Sequence, residues 1–140
     1  MAKTLEKYEI KESGYHPFLI RDGWQVAQLN YDTNQEVENI KKLDIHNHTD
    51  EVFILLKGMA VLITANIFNN KPQFELEVMK PGITYNIPQE TWHNIAMEKG
   101  CEVIIVEKSN THVNDFEFFH LTEKNHCELT ARTKKLMESN

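Results

Sequence analysis

Cysteine is scarce in this chain: Cys101 and Cys127 stand alone, far apart and outside any Cys-x-x-Cys pattern. That excludes a disulfide framework and a thiolate zinc cluster, and predicts a reduced, cytoplasmic protein with two ordinary thiols. Basic charge is also in deficit, with 15 Lys+Arg against 21 Asp+Glu for a formal charge of -6. The densest basic group, Arg132 with Lys134 and Lys135, reads as a solvated helix face, so no nucleic-acid surface is expected. Long apolar runs are missing too. Spanning a bilayer takes about 18 consecutive apolar residues, whereas the longest runs here, 52–56 and 59–64, are strand-sized and split by Lys57 and Gly58. The N-terminus lacks the apolar stretch of a signal peptide. No membrane partner, Ser-His-Asp arrangement, Gly-rich phosphate loop, repeat or low-complexity linker is expected either.

What is present is a succession of short alternating segments. Pro17–Arg21 ends at Asp22-Gly23, a hairpin signal, and Trp24–Tyr31 alternates after it. Tyr8–Lys11 alternates weakly, and Glu36–Asp44 is mostly polar, leaving open how much of it is strand. The middle is clearer: Glu51–Lys57, Met59–Ile67 and Phe74–Met79 are separated by Gly58 and by Asn69–Pro72, and Ile83–Ile87, Trp92–Met97 and Glu102–Lys108 follow. About ten strands at this spacing suit a β-sandwich or small barrel. Phe116–Leu121 reads as an aromatic edge strand or subunit contact, Thr122 as a helix N-cap, and Glu128–Met137 as a short C-terminal helix. The expected organisation is a single domain over 1–140, with a barrel core at about 24–108 and a terminal strand and helix over 115–138.

Chemistry concentrates in two stretches. In the first, Asp44, His46 and His48 share one face of a strand by alternation, and Glu51 opens the apolar strand that ends at Gly58. In the second, Gly82, a strand, Pro88 and His93 follow one another, with His93, Ile95 and Met97 on one face.

Together these stretches resemble the cupin superfamily, whose motifs read G(x)5HxH(x)3–4E(x)6G and G(x)5PxG(x)2H(x)3N. The chain keeps Glu51, six residues, then Gly58; it keeps Gly82, five residues, then Pro88, with His93 at the family offset and 23 residues between Gly58 and Gly82. The resemblance implies an all-β double-stranded β-helix, the cupin or jelly-roll barrel. Two registers stay open for the first motif. Either His46 and His48 are the family's histidine pair, leaving only Thr49 and Asp50 before Glu51, or Asp44 and His46 hold those positions, with Asn47–Asp50 as the turn. The second is preferred because the first turns the chain in two residues; it puts His48 in the turn. His46, Glu51 and His93 survive in both. The second motif's glycine is replaced by Glu90, which suggests a different turn, and its asparagine by Met97, which suggests an apolar cavity wall.

The resemblance thus implies a divalent metal held by His46, Glu51 and His93, completed by Asp44 or His48. A mixed imidazole and carboxylate set suits Fe, Mn, Ni, Co or Zn. Two functional classes follow: a metal-dependent enzyme, dioxygenase- or isomerase-like, acting on a small polar metabolite, or a non-catalytic, metal-free cupin that binds a small-molecule ligand. Trp24, Tyr31, Phe53, Tyr85 and Trp92 are read as core, and His16, His112, His120 and His126 as surface or packing residues. The strand 52–56 is apolar on both faces, which predicts a homodimer formed sheet to sheet.

Overall fold

Period-two alternation decides which side chains of each strand face inward. A computed structural model describes residues 4–140. The first sheet comprises β1 (Gly14–Arg21), β2 (Trp24–Asn30), β4 (Glu51–Lys57), β7 (Thr84–Ile87) and β9 (Glu102–Glu107), in the order β1-β2-β9-β4-β7. The second comprises β3 (Lys42–Ile45), β5 (Ala60–Phe68), β6 (Lys71–Val78), β8 (Trp92–Met97) and β10 (Glu117–His120), in the order β10-β3-β8-β5-β6. All pairings are antiparallel. The sheets begin at Gly14, earlier than the boundary expected at residue 24, and β10 is an edge strand of the second sheet.

Between the sheets lies a cluster that includes Leu29, Phe53, Leu55, Leu62, Ile95, Met97, Val103 and Ile105. A second cluster covers the outer face of the second sheet, where Val37, Ile40, Val61, Ile63 and Phe74 pack with Leu129. Leu129 belongs to α2 (Glu123–Glu138), and Leu129 and Thr133 are its buried residues. Thr122 caps α2, its side chain accepting from the Asn125 N–H at 3.1 Å, so the helix starts five residues before the expected Glu128; the cap outweighs the polar run that follows it. The remaining helices are one turn each: Thr33–Gln35, Val37–Asn39 and α1 (Thr111–Asn114).

Several expectations change in detail. The β5–β6 turn is made by Asn69 and Asn70 alone, with φ of 50° and 63°. Asparagine tolerates this left-handed region. Lys71 and Pro72 already belong to β6, an edge strand in which the missing proline N–H costs little. Tyr8–Lys11 is not a strand; its neighbourhood is held instead by side chains, with Asn30 Nδ2 donating to the carbonyls of Ile10 and Glu12. Trp24, expected in the core, is 45% exposed at the start of β2. Gly58 shows why the motif needs glycine: φ is +89°, and a Cβ there would lie 2.6 Å from Cys101 Cα.

Candidate metal centre

Strand register carries the polar ends of the inward rows to one mouth of the barrel. Gln25 pairs with Glu107, and Glu107 with Glu51, across three neighbouring strands of the first sheet. From the second sheet Asp44 pairs with His93. His46 directly follows β3, and the turn over 46–50 leads into Glu51 at the start of β4.

His46, Glu51 and His93 come together, with their ligand atoms all within 4.8 Å of one another. Glu51 Oε1 lies 2.8 Å from His93 Nε2 and 3.4 Å from His46 Nε2. Even so, this buried oxygen makes no hydrogen bond of acceptable geometry, and neither does Asp44 Oδ1. Two orphaned carboxylate oxygens and two converging imidazole nitrogens in one recess are a donor set that a divalent cation would satisfy. The residues therefore fit a metal. Asp44 opens into the same cavity but stands outside the cluster of three, whereas His48 is exposed in the turn and does not line the cavity.

Both histidines are aimed by their other ring nitrogen. His93 Nδ1 donates to the Thr91 carbonyl at 2.9 Å, and His46 Nδ1 donates to the Asp115 carbonyl at 2.7 Å. A proton fixed on Nδ1 leaves the Nε2 lone pair for a cation. Asp115 does more: its carboxylate accepts from the backbone N–H groups of Asn47 at 2.9 Å and His48 at 3.0 Å. Burial opposes its ionisation, but these donors outweigh that and hold its pKa low.

The electrostatics follow from crowding. Burial works against a charged imidazole at His46, yet the Glu51 carboxylate beside it prevails and lifts the pKa to about 9. Burial likewise opposes charge on Glu51, and the two imidazoles overcome it, so Glu51 stays ionised. Glu107 goes the other way: burial first, then the Glu51 charge, push it up to about 8. Tyr15 Oη donates to Glu107 Oε2 at 3.3 Å, and the fully buried Gln25 donates to that Tyr15 oxygen at 3.2 Å. The Gln25 amide also contacts His112 Nδ1 at 3.1 Å and accepts from the Asn110 N–H at 2.9 Å.

The cavity has a volume of about 670 Å³. Its lining includes Glu107 and Tyr15, which sequence reasoning passed over. Glu107 carried a signal, since it continues the inward alternation of Val103 and Ile105. His112 and His120, read as surface or packing residues, are both exposed, and as the segment after β9 folds back over the barrel mouth they also line the cavity. Met97 is buried in the core and does not line this cavity, contrary to the wall expected there. Glu90, expected to bring a different turn, adopts the glycine conformation itself, with φ of 61°. Its N–H donates to the His46 carbonyl at 2.8 Å, an added contact that supports this conformation.

Among solved structures the chain is similar to BH2720 from Bacillus halodurans, with 16% identity, TM-score 0.57, and 75% of this chain and 76% of that one covered. It is also similar to hydroquinone 1,2-dioxygenase from Sphingomonas sp. TTNP3 with 4-hydroxybenzoate bound (7% identity, TM-score 0.55, coverage 71% and 68%). A third likeness is to PAC13 of Streptomyces with uridine (12% identity, TM-score 0.54, coverage 86% and 97%). No protein-family model and no curated protein sequence matches the chain. The fold is the cupin double-stranded β-helix, a jelly-roll barrel with a C-terminal helix. At these identities the likeness describes architecture, and architecture alone does not choose a reaction.

Proposed function

We propose that this chain, read as one cupin domain over 1–140, holds a divalent transition metal on His46, Glu51 and His93, with Asp44 completing the set. It would bind or transform a small polar metabolite in the cavity above. The carrying observation is Glu51 Oε1, buried between two imidazole Nε2 atoms without a proper hydrogen bond. When bound, such a metal supplies Lewis-acid polarisation of a substrate oxygen or, for Fe or Mn, a centre for dioxygen chemistry. The chain's own residues do the rest. Asp115 and Thr91 orient the imidazoles, Phe53, Ile95 and Ile105 give the recess apolar walls, and the Tyr15–Glu107 pair places a proton donor and a carboxyl beside Glu51. The small ligands carried by two of the similar structures, 4-hydroxybenzoate and uridine, support a small-molecule partner here.

The same reading extends to setting and assembly. Cys101 and Cys127 are both free, in keeping with a cytoplasmic protein, and no helix among the described residues is long and apolar enough to cross a membrane. A homodimer would use the outer face of the first sheet. There Val26, Val52, Ile54, Ile104 and Val106 are only half-buried and form adjacent rows, and no helix among the described residues covers them as α2 covers the other sheet. A monomeric mass at micromolar concentration would count against the dimer.

Metal analysis of protein purified without a chelating tag tests the central reading. We expect a stoichiometric transition metal that is lost in His46→Ala and His93→Ala. Metal-free protein, with both variants folded and unchanged, would sink it and favour the non-catalytic binder.

A further inference from the structure

We propose that the mouth of the cavity is an anion-recognition subsite, so that the ligand is a small molecule carrying a carboxylate or phosphate on a flat or apolar body. This rests on the metal-centre reading only for the inner end of the ligand. The cavity has two chemically opposite ends. Inside stand the carboxyl groups of Asp44, Glu51 and Glu107; toward the outside its lining includes Lys41 and Lys42. Neither lysine enters an ion pair among the described residues, where the paired lysines are Lys11, Lys57 and Lys134. Two unpaired cations at one opening are notable in a chain with a charge of -6.

Lys42 is held there. Its Nζ sits 3.7 Å from the Phe118 ring centroid, a cation–π contact that keeps the ammonium at the rim. Asn94 Nδ2 donates to the Lys42 carbonyl at 2.9 Å, which ties down the backbone beneath it. Three of the four amides lining the cavity already donate elsewhere: Gln35 Nε2 to the Ile95 carbonyl at 2.7 Å, Asn39 Nδ2 to the Thr33 carbonyl at 2.7 Å and Asn94 Nδ2 to the Lys42 carbonyl. The fixed cationic donors in the lining are the lysine ammonium groups, which select an anion over a neutral acceptor.

Beside them, Phe116 and Phe118 remain 43% and 42% exposed, with ring centroids 5.3 Å apart. Exposed paired aromatics at a cavity mouth offer a surface for an apolar or ring-bearing body. An anionic group on the lysines, a body against the phenylalanines and an oxygen directed at His46, Glu51 and His93 would use the whole recess. Its volume of about 670 Å³ lies in the small-molecule range. A polyanionic macromolecule is disfavoured by the overall negative charge.

The test uses benzoate, phenyl phosphate and neutral benzamide, each titrated into the full chain by ligand-detected NMR, with and without added Zn(II), and with metal content assayed separately. We expect at least one anion to bind about tenfold more tightly than benzamide in the wild-type protein, with most of that preference lost in Lys41→Met/Lys42→Met. The better of the two anions distinguishes a carboxylate from a phosphate ligand. No preference over benzamide, or one that survives in the double variant, overturns the subsite. An anion preference in protein that retains no metal upholds the subsite and removes only the metal centre; metal retained without the preference does the reverse.

Discussion

Replacing Asp115 with alanine tests whether the segment after β9 builds the metal centre or merely lies over it. The substitution removes the acceptor for two backbone N–H groups, of Asn47 and His48, and frees the carbonyl that fixes His46 Nδ1. Hydrogen bonds to a charged group contribute about 1.5–3 kcal/mol each, and partial exposure and water replacement reduce this, so a net loss of roughly 2–3 kcal/mol in stability is expected. The effect on the site is more specific. Loss of a partner that orients a metal-ligating histidine costs about 10–100-fold in metal affinity. His93 is an internal control, because its Nδ1 partner, the Thr91 carbonyl, is local and independent of Asp115. The assay is a competition titration of Zn(II) against a chelator, paired with imidazole 1H–15N correlation spectra of the metal-free protein. In Asp115→Ala the His46 Nδ1–H should lose its hydrogen-bonded chemical shift while the His93 Nδ1–H keeps its own, and Asp115→Asn should restore part of the affinity. Metal affinity within twofold of wild type, or both rings disturbed equally, would refute a positioning role.

Three further outcomes follow from the same geometry. Glu90→Gly relieves a left-handed residue with a Cβ, which costs about 1–2 kcal/mol, so the midpoint of thermal unfolding should rise by a few degrees; a lowered midpoint would show that the Glu90 side chain makes a compensating contact. Metal uptake must displace the proton that Glu51 holds on His46, whose pKa is lifted to about 9. Zn(II) affinity should therefore climb about tenfold per pH unit between 7 and 8.5 with release of about one proton, and calorimetry in two buffers showing no release would contradict this. In metal-free protein, Glu107 binds its proton up to about pH 8, whereas the unfolded chain releases it near 4.5. Its contribution to stability is thus complete below the lower value and lost as pH rises through the higher one, an effect of roughly 3–5 kcal/mol. Glu107→Gln should flatten that decline in urea unfolding between pH 5 and 8.5, and a parallel decline in both proteins would exclude Glu107 as its source.

Much of the architecture was legible because it rests on local rules. Apolar runs and alternation between turn residues marked β4, β8 and β9 almost to the residue, and Asp22-Gly23 marked the first hairpin. Glu51, Gly58 and His93 stood out by motif spacing, and Gly58 does occupy a position where a Cβ would strike Cys101. Segments governed by side-chain tethering were not legible in this way. Residues 10–12 lie outside the sheets with the Ile10 and Glu12 carbonyls held by Gln28 and Asn30, a contact no propensity announces.

By itself, then, the sequence determined a chain of short β-strands, because period-two alternation and glycine-marked turns act over a few residues, while His46, Glu51 and His93 were nominated by the resemblance to the cupin motifs. Tertiary structure decided how that site is furnished. Tyr15 reaches Glu107 across 92 positions, and Asp115 reaches His46 across 69. Such pairings are made by sheet register and by the fold-back after β9, which bring distant residues within hydrogen-bonding distance. It also decided that Asp44, and not the conspicuous His48, faces the cavity. A turn over 46–50 breaks the alternation on which their sharing a face depended.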